Sequence, residues 1–252
     1  MTVTRAGVSG DAPFAEPRST SFDVPPVDAS RCARQRVRRG EMLFGAGDAF
    51  HTLYVVHAGV LKSFTVSDDG LTQVTGFQIP RDVVGLDGVG SGRHLSEVVA
   101  LEDSEVFVLP FDQCQRWAKE SAHGQRVMTR AFAREITRSQ EQMVLLGVMR
   151  AEQRVAAFLL DLSERYGRLG YSRLRFLLRM SRHDIGSYLG LQLETVSRVL
   201  SRLHREGLVQ VQGKSIALLD LPALRLLVGV SAGRLSPEVD SILDRDGGLP
   251  GG

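Results

Sequence analysis

Glu194 and Arg198 stand four residues apart in the stretch SRHDIGSYLGLQLETVSRVLSRLHREG, with Thr195 and Ser197 between them. On a helix this spacing brings the carboxylate and the guanidinium onto one face. A guanidinium can donate two hydrogen bonds to guanine O6 and N7, a carboxylate can accept from cytosine N4, and hydroxyls can add contacts to either. The set therefore has the chemistry of reading base edges in a major groove. The same pair on a solvated helix would only support that helix, by about 0.2–0.5 kcal/mol. The surrounding elements decide between the two readings.

Ser181 is placed to cap a helix, with Asp184 three positions on in capping-box spacing. Ile185, Tyr188 and Leu189 make its apolar face, and Gly190 breaks it. A second helix is predicted from Gln192 or Leu193, with Val196, Val199, Leu200 and Leu203 inward and Glu194, Thr195, Ser197, Arg198 and Arg202 outward. Gly207 ends it, and Leu208 to Val211 and Ser215 to Leu218, joined through Gln212-Gly213-Lys214, read as a hairpin. Helix, turn, helix and wing occur together. Lys214 at the wing tip and Arg182 at the entry of the first helix are candidate phosphate contacts or solvated surface, and Gln192, Thr195 and Arg202 would support them.

Upstream, residues 1–30 carry Pro, Ser, Asp and Gly without a period and are expected to be a flexible arm. From Val37 to Pro110, short segments rich in Val, Leu, Phe and Thr alternate with turn residues, predicting a small antiparallel roll or barrel, with strands at Leu53 to Val56, Val60 to Val66 and Gln73 to Ile79. A long helix is predicted over Ala122 to Arg150. Along it Thr129, Phe132, Ile136, Ser139, Met143, Leu146 and Arg150 follow a three-four step free of carboxylates, which could pair with a second copy or pack on the roll of its own chain. A further helix from Ala151 to about Tyr166 would bury Val155, Phe158, Leu159 and Leu162. The resulting division is an arm (1–30), a roll (31–121), a long helix (122–150), a winged helix-turn-helix (151–225) and a tail (226–252), an α+β protein.

Composition agrees with this. The 252 residues are 43% hydrophobic and 24% charged, with a net charge of +2. From Arg150 to Ser215 there are twelve Lys/Arg and six Asp/Glu, a local excess of +6 that leaves the rest of the chain near −4. A local basic face, not a basic total, is what nucleic-acid binding needs. No apolar run of membrane-spanning length and no signal peptide is seen, so a cytoplasmic protein without membrane attachment is expected. No P-loop, GxGxxG turn, HExxH helix or nucleophile with its base occurs, so an enzyme is not expected. Only Cys32 and Cys114 occur, which leaves redox sensing by one thiol open but lacks the ligands for a four-cysteine zinc site or an iron-sulfur cluster.

The stretches GEMLFGAGD, LYVVHAGVLKSFTVSDDG, QVTGFQIPRDVVGLDGVGSG, RVAAFLLDLSERY and MSRHDIGSYLGLQLETVSRVLSRL, spread from Val37 to Leu219, resemble the Crp/Fnr superfamily, the fumarate-nitrate reduction branch in particular. The resemblance implies a cyclic-nucleotide-binding-like sensor roll, a dimerisation helix and a winged helix-turn-helix, working as a homodimer on double-stranded DNA beside RNA polymerase. It implies base reading by Glu194, Ser197 and Arg198, and an operator like TTGAT-N4-ATCAA. Gln192 departs from the Ser or Thr expected to cap the recognition helix. Phe107 stands where the branch's oxygen sensors carry a roll cysteine, and DVVGLDGVGSGRHLSEVVAL departs from the cassette that holds a cyclic nucleotide. Neither an iron-sulfur cluster nor a cyclic nucleotide is therefore expected, and haem through His51, His57 or His94 is left as an open alternative.

Overall fold

The structure is a computed structural model that describes residues 32–229. The predicted arm at 1–30, and the predicted tail beyond residue 229, lie outside the described residues. The roll consists of β1 (Ala33–Val37), β2 (Met42–Phe44), β3 (Thr52–Ala58), β4 (Leu61–Val66), β5 (Thr72–Gln78), β6 (Val83–Val84), β7 (Glu97–Ala100) and β8 (Ser104–Pro110). These make two antiparallel four-stranded sheets, ordered β1-β8-β3-β6 and β2-β7-β4-β5. Val56, Leu61, Val98 and Val106 meet between them in a closed apolar core. Short β-branched runs separated by turns are what such a fold demands, because each strand buries one face only.

Helices follow: α1 (Phe111–Glu120), α2 (Ala122–Val148) and α3 (Ala151–Arg168). The first was not foreseen, since it continues directly from β8 and is separated from α2 by Ser121 alone. Ser121 caps α2, its Oγ accepting from the Gly124 amide at 3.2 Å. The C-terminal fold proper has β9 (Arg175–Leu177), α4 (Arg182–Leu189), α5 (Leu193–Arg205), β10 (Val209–Gln212) and β11 (Ser215–Leu218), followed by α6 (Leu221–Val228). The wing is thus three-stranded, β10-β11-β9, where the sequence suggested two strands. Three residues are too few to show a period. α6 was likewise unforeseen and carries the domain past residue 225; Asp220 caps it, and Leu224 and Val228 are buried.

Roll and C-terminal fold share one core. Val74, Phe77 and Ile79 from the β5 region join Phe158, Leu162, Ile185, Leu189, Val196 and Leu203 in a single buried cluster. Polar contacts ring it. Lys62 Nζ meets Asp184 at 2.8 Å, the Val74 amide donates to Ser187 Oγ at 2.8 Å, and Ser187 Oγ donates to the Thr72 carbonyl at 3.1 Å. Asp82, in the turn after β5, accepts from Arg165 of α3 at 2.6 Å, Arg138 of α2 at 3.2 Å and the Ile79 amide at 2.9 Å. Burial pushes the Asp82 carboxyl up, but the two guanidinium groups and the amide outweigh it and hold the group below its ordinary value.

The α2 stripe divides. Phe132 packs against the roll cluster containing Phe107, Cys114 and Met128, and Leu146 is half-buried with Cδ2 3.2 Å from where a Cβ on Gly190 would lie. Between these ends Ile136, Ser139 and Met143 are exposed, Ile136 by 59% and Met143 by 65%. Phe132 and Leu146 serve the chain itself, and the stripe between them faces outward.

Candidate nucleic-acid interface

Ser181 and Asp184 form the full reciprocal box at the start of α4: Ser181 Oγ accepts from the Asp184 amide at 3.0 Å, and Asp184 accepts from the Ser181 amide at 3.0 Å. Burial raises the Asp184 carboxyl, while hydrogen bonds from Lys62 and Ser181 outweigh it and leave the group below its ordinary value. Asp184 is thus fully committed to structure. Gly190 adopts a left-handed conformation at φ 61°, which glycine tolerates without steric cost. One turn earlier, a Cβ on Gly186 would stand 2.5 Å from the Leu191 carbonyl oxygen, so this tight turn also requires glycine there. These two positions set how α5 leaves α4.

α5 buries Val196, Val199, Leu200 and Leu203, the predicted inward set. Gln192 precedes it without capping it through its side chain. Glu194 and Arg198 are exposed, and Thr195 and Ser197 are half-buried beside them. Arg198 donates to Thr195 Oγ1 at 3.2 Å, and among the described residues it forms no ion pair with Glu194. The pair is therefore not a self-supporting helix contact. Both charges point outward with their hydrogen-bonding capacity largely free.

Two neighbours were missed from the sequence. Ser201 and Arg205, seven and eleven positions past Glu194, return to within about 20° of its direction at ~100° per residue, so the helical period could have found them. With His204, Ser197, Arg182 and Val211 they line a cleft of about 320 Å³ between α4, α5 and the wing. Arg202 goes elsewhere. It is turned about 80° from Glu194, pairing with Glu152 of α3 and with Glu206 at 2.8 Å. Arg182 is half-buried and donates to the Gly213 carbonyl at 3.2 Å, bracing the wing tip, and burial lowers the basicity of its guanidinium. Lys214 is exposed at that tip, with Nζ 3.4 Å from the Arg179 carbonyl.

The roll holds no comparable set of open polar groups at the positions singled out. His94 is buried, stacked on Phe44 with centroids 3.7 Å apart and Nδ1 3.3 Å from Asp87; His51 is exposed and His57 half-buried. Asp87 is occupied by the Leu95 and Ser96 amides, and Arg93 donates to the Gly47 carbonyl at 2.7 Å. Phe107 is buried beneath Arg34, whose guanidinium carbon is 5.2 Å from the ring centroid. Burial pushes the Cys114 thiol up to about 11, so it stays protonated at neutral pH. Among the described residues no three His, Cys, Asp or Glu side chains gather as a metal site, and no helix is long and apolar enough to cross a membrane.

Comparison with known proteins agrees with this division. Residues 34–121 match the cyclic nucleotide-binding domain and residues 153–227 the Crp-like helix-turn-helix domain. The chain is 46% identical over 207 residues to the transcriptional regulatory protein btr of Bordetella pertussis, covering 82% of this chain and 86% of that one. It is 39% identical over 196 residues to the fumarate and nitrate reduction regulatory protein of Salmonella typhimurium, covering 78% of each. Among solved structures, FixK2 from Bradyrhizobium japonicum superposes with a TM-score of 0.71 at 32% identity, over 78% of this chain and 96% of that one. The protein belongs to the Crp/Fnr family of transcription regulators and is not an enzyme.

Proposed function

We propose that this regulator binds a pseudo-palindromic operator of the form TTGAT-N4-ATCAA as a homodimer, in the cytoplasm, and from there acts on RNA polymerase to activate or repress transcription. The observation that carries this reading is the outward placement of Glu194, Ser197 and Arg198 on one face of α5, with Arg198 free of any carboxylate. Arg198 would read guanine and Glu194 cytosine; Ser197 would add a hydroxyl contact. Lys214 and Arg205 would contact phosphates, Arg182 would hold the wing in place for them, and Gln192 and Thr195 would support the entry of α5. The exposed middle of the α2 stripe, Ile136 to Met143, supports pairing of two copies, which would set two α5 helices about 34 Å apart on successive major grooves.

The same reading needs no iron-sulfur cluster, for which two cysteines are too few donors, and no cyclic nucleotide, since DVVGLDGVGSGRHLSEVVAL departs from the cassette that holds one. The test is titration of purified, metal-free protein against duplexes carrying the palindrome and a scrambled control, at two salt concentrations. Binding about a thousandfold tighter to the palindrome, weakening with salt, is the expected result. Equal, weak binding to both would refute the assigned operator or cofactor independence.

A further inference from the structure

Arg154, in the first turn of α3, places all three guanidinium nitrogens on backbone carbonyls. Nε donates to Met149 at 2.9 Å, one terminal nitrogen to Leu189 at 2.9 Å and the other to Leu146 at 2.7 Å. Leu146 belongs to the last turn of α2 and Met149 follows it, while Leu189 ends α4 just before the turn into α5. One side chain thus caps two helix C-termini, where unpaired carbonyls and the negative end of the helix dipole favour a cation. The Leu146 side chain lies against Gly190 at the same point. A second tie lies eight residues back along α2, where Arg138 meets Asp82, itself bound to Arg165 of α3. Arg138 and Leu146 are about 12 Å apart along the helix axis. A helix held at one point can pivot; held at two points this far apart, it cannot.

We propose that Arg154 is a positioning residue for spacing specificity: it fixes the angle between α2 and the reading helix, so that a pair of chains accepts half-sites at one separation only. This rests on the dimeric operator reading given above. Each inserted base pair moves a half-site by ~3.4 Å and turns it by ~35°. A joint held this way resists that displacement, and one loosened at Arg154, with the shared core and the Asp82 tie still in place, follows it more readily.

The test compares wild type, Arg154→Met and Arg154→Lys on duplexes in which TTGAT and ATCAA are separated by three to six base pairs, and on a single half-site. Wild type is expected to prefer one spacing by about tenfold or more, and Arg154→Met to narrow this to about threefold with half-site affinity unchanged. Arg154→Lys, whose ammonium cannot span three carbonyls, should fall between. A second readout needs no DNA: nitroxide labels on Gln140 of α2 and Glu206 after α5, in a Cys32→Ser, Cys114→Ala background diluted with unlabelled chain. Their distance distribution should be narrow in wild type and broad in Arg154→Met. An unchanged distribution overturns the proposal whatever the DNA data show. A broadened distribution with no spacing preference in wild type sinks the dimeric operator reading and leaves the role of Arg154 in the joint standing. Should Arg154→Met fail to fold, Arg154→Lys carries both measurements.

Discussion

At the joint between roll and DNA-binding fold, charged side chains turn inward. Arg154 lies on three carbonyls, and Arg138 and Arg165 on Asp82. On α5 the same residue types turn outward, where Glu194, Arg198 and Arg205 are solvated and Arg198 touches only a hydroxyl of its own helix. Desolvated, matched charges are costly to assemble and far more costly to break, because the remaining partner is left buried and uncompensated. Solvated charges contribute little to folding. Substitutions at the joint should therefore act on stability and geometry, and those on α5 on DNA.

The largest expected effect comes from Asp82→Ala, which would take away the partner that Arg165 and Arg138 share, leave Arg165 to Asp161 and the Phe77 carbonyl, and cost about 3 kcal/mol of stability, read from urea unfolding. A loss below about 1 kcal/mol would erase the distinction between the two regions. Acid should find the same weak point. Asp82 and Asp184 both lie below the ordinary 3.8 in the folded protein, so the stability they contribute is complete above that value. It is lost as pH falls through their lowered folded values. Stability measured against pH should decline from about pH 4 downward on their account, and the steep part should disappear in Asp82→Ala.

Arg198→Ala comes next, expected to weaken binding to the cognate duplex by about 1–3 kcal/mol and to relax discrimination at one base pair. Its stability should stay within about 0.5 kcal/mol of wild type. Parallel losses of folding and binding would place Arg198 with the joint instead. The smallest effect is assigned to Arg202→Ala. Paired with Glu152 and Glu206 on the flank of α5, it should leave cognate affinity within about twofold of wild type and the unfolding midpoint where it is. A tenfold drop in affinity would return Arg202 to the reading face.

Arg202 also marks where sequence reading ends. Its outward placement followed correctly from the helical period, but Glu152, which draws it toward α3, is fifty residues away in the chain. The α4 box, by contrast, was legible because both of its partners, Ser181 and Asp184, lie within one turn. The inward set of α5 was legible for a similar reason: four apolar residues at helical spacing leave one possible buried face. Ser201 and Arg205 could have been found by carrying that period two turns further. β9 and α6 could not, since three residues and one short capped helix carry too little pattern against their flanks.

From the residues alone came much of what depends on local order: the strand-rich roll, the long helix, the capped α4, the glycine turn, the outward Glu194-Ser197-Arg198 face and the basic excess around it. The tertiary structure decided what each face meets. It divided the α2 stripe between the chain's own core and solvent, turned Arg182 to the wing, and gathered Arg154, Asp82, Arg138 and Arg165 into one joint. Periodicity fixes a side chain's direction about its own helix axis. Which neighbour waits in that direction depends on contacts between segments far apart in the chain, and no local spacing records them.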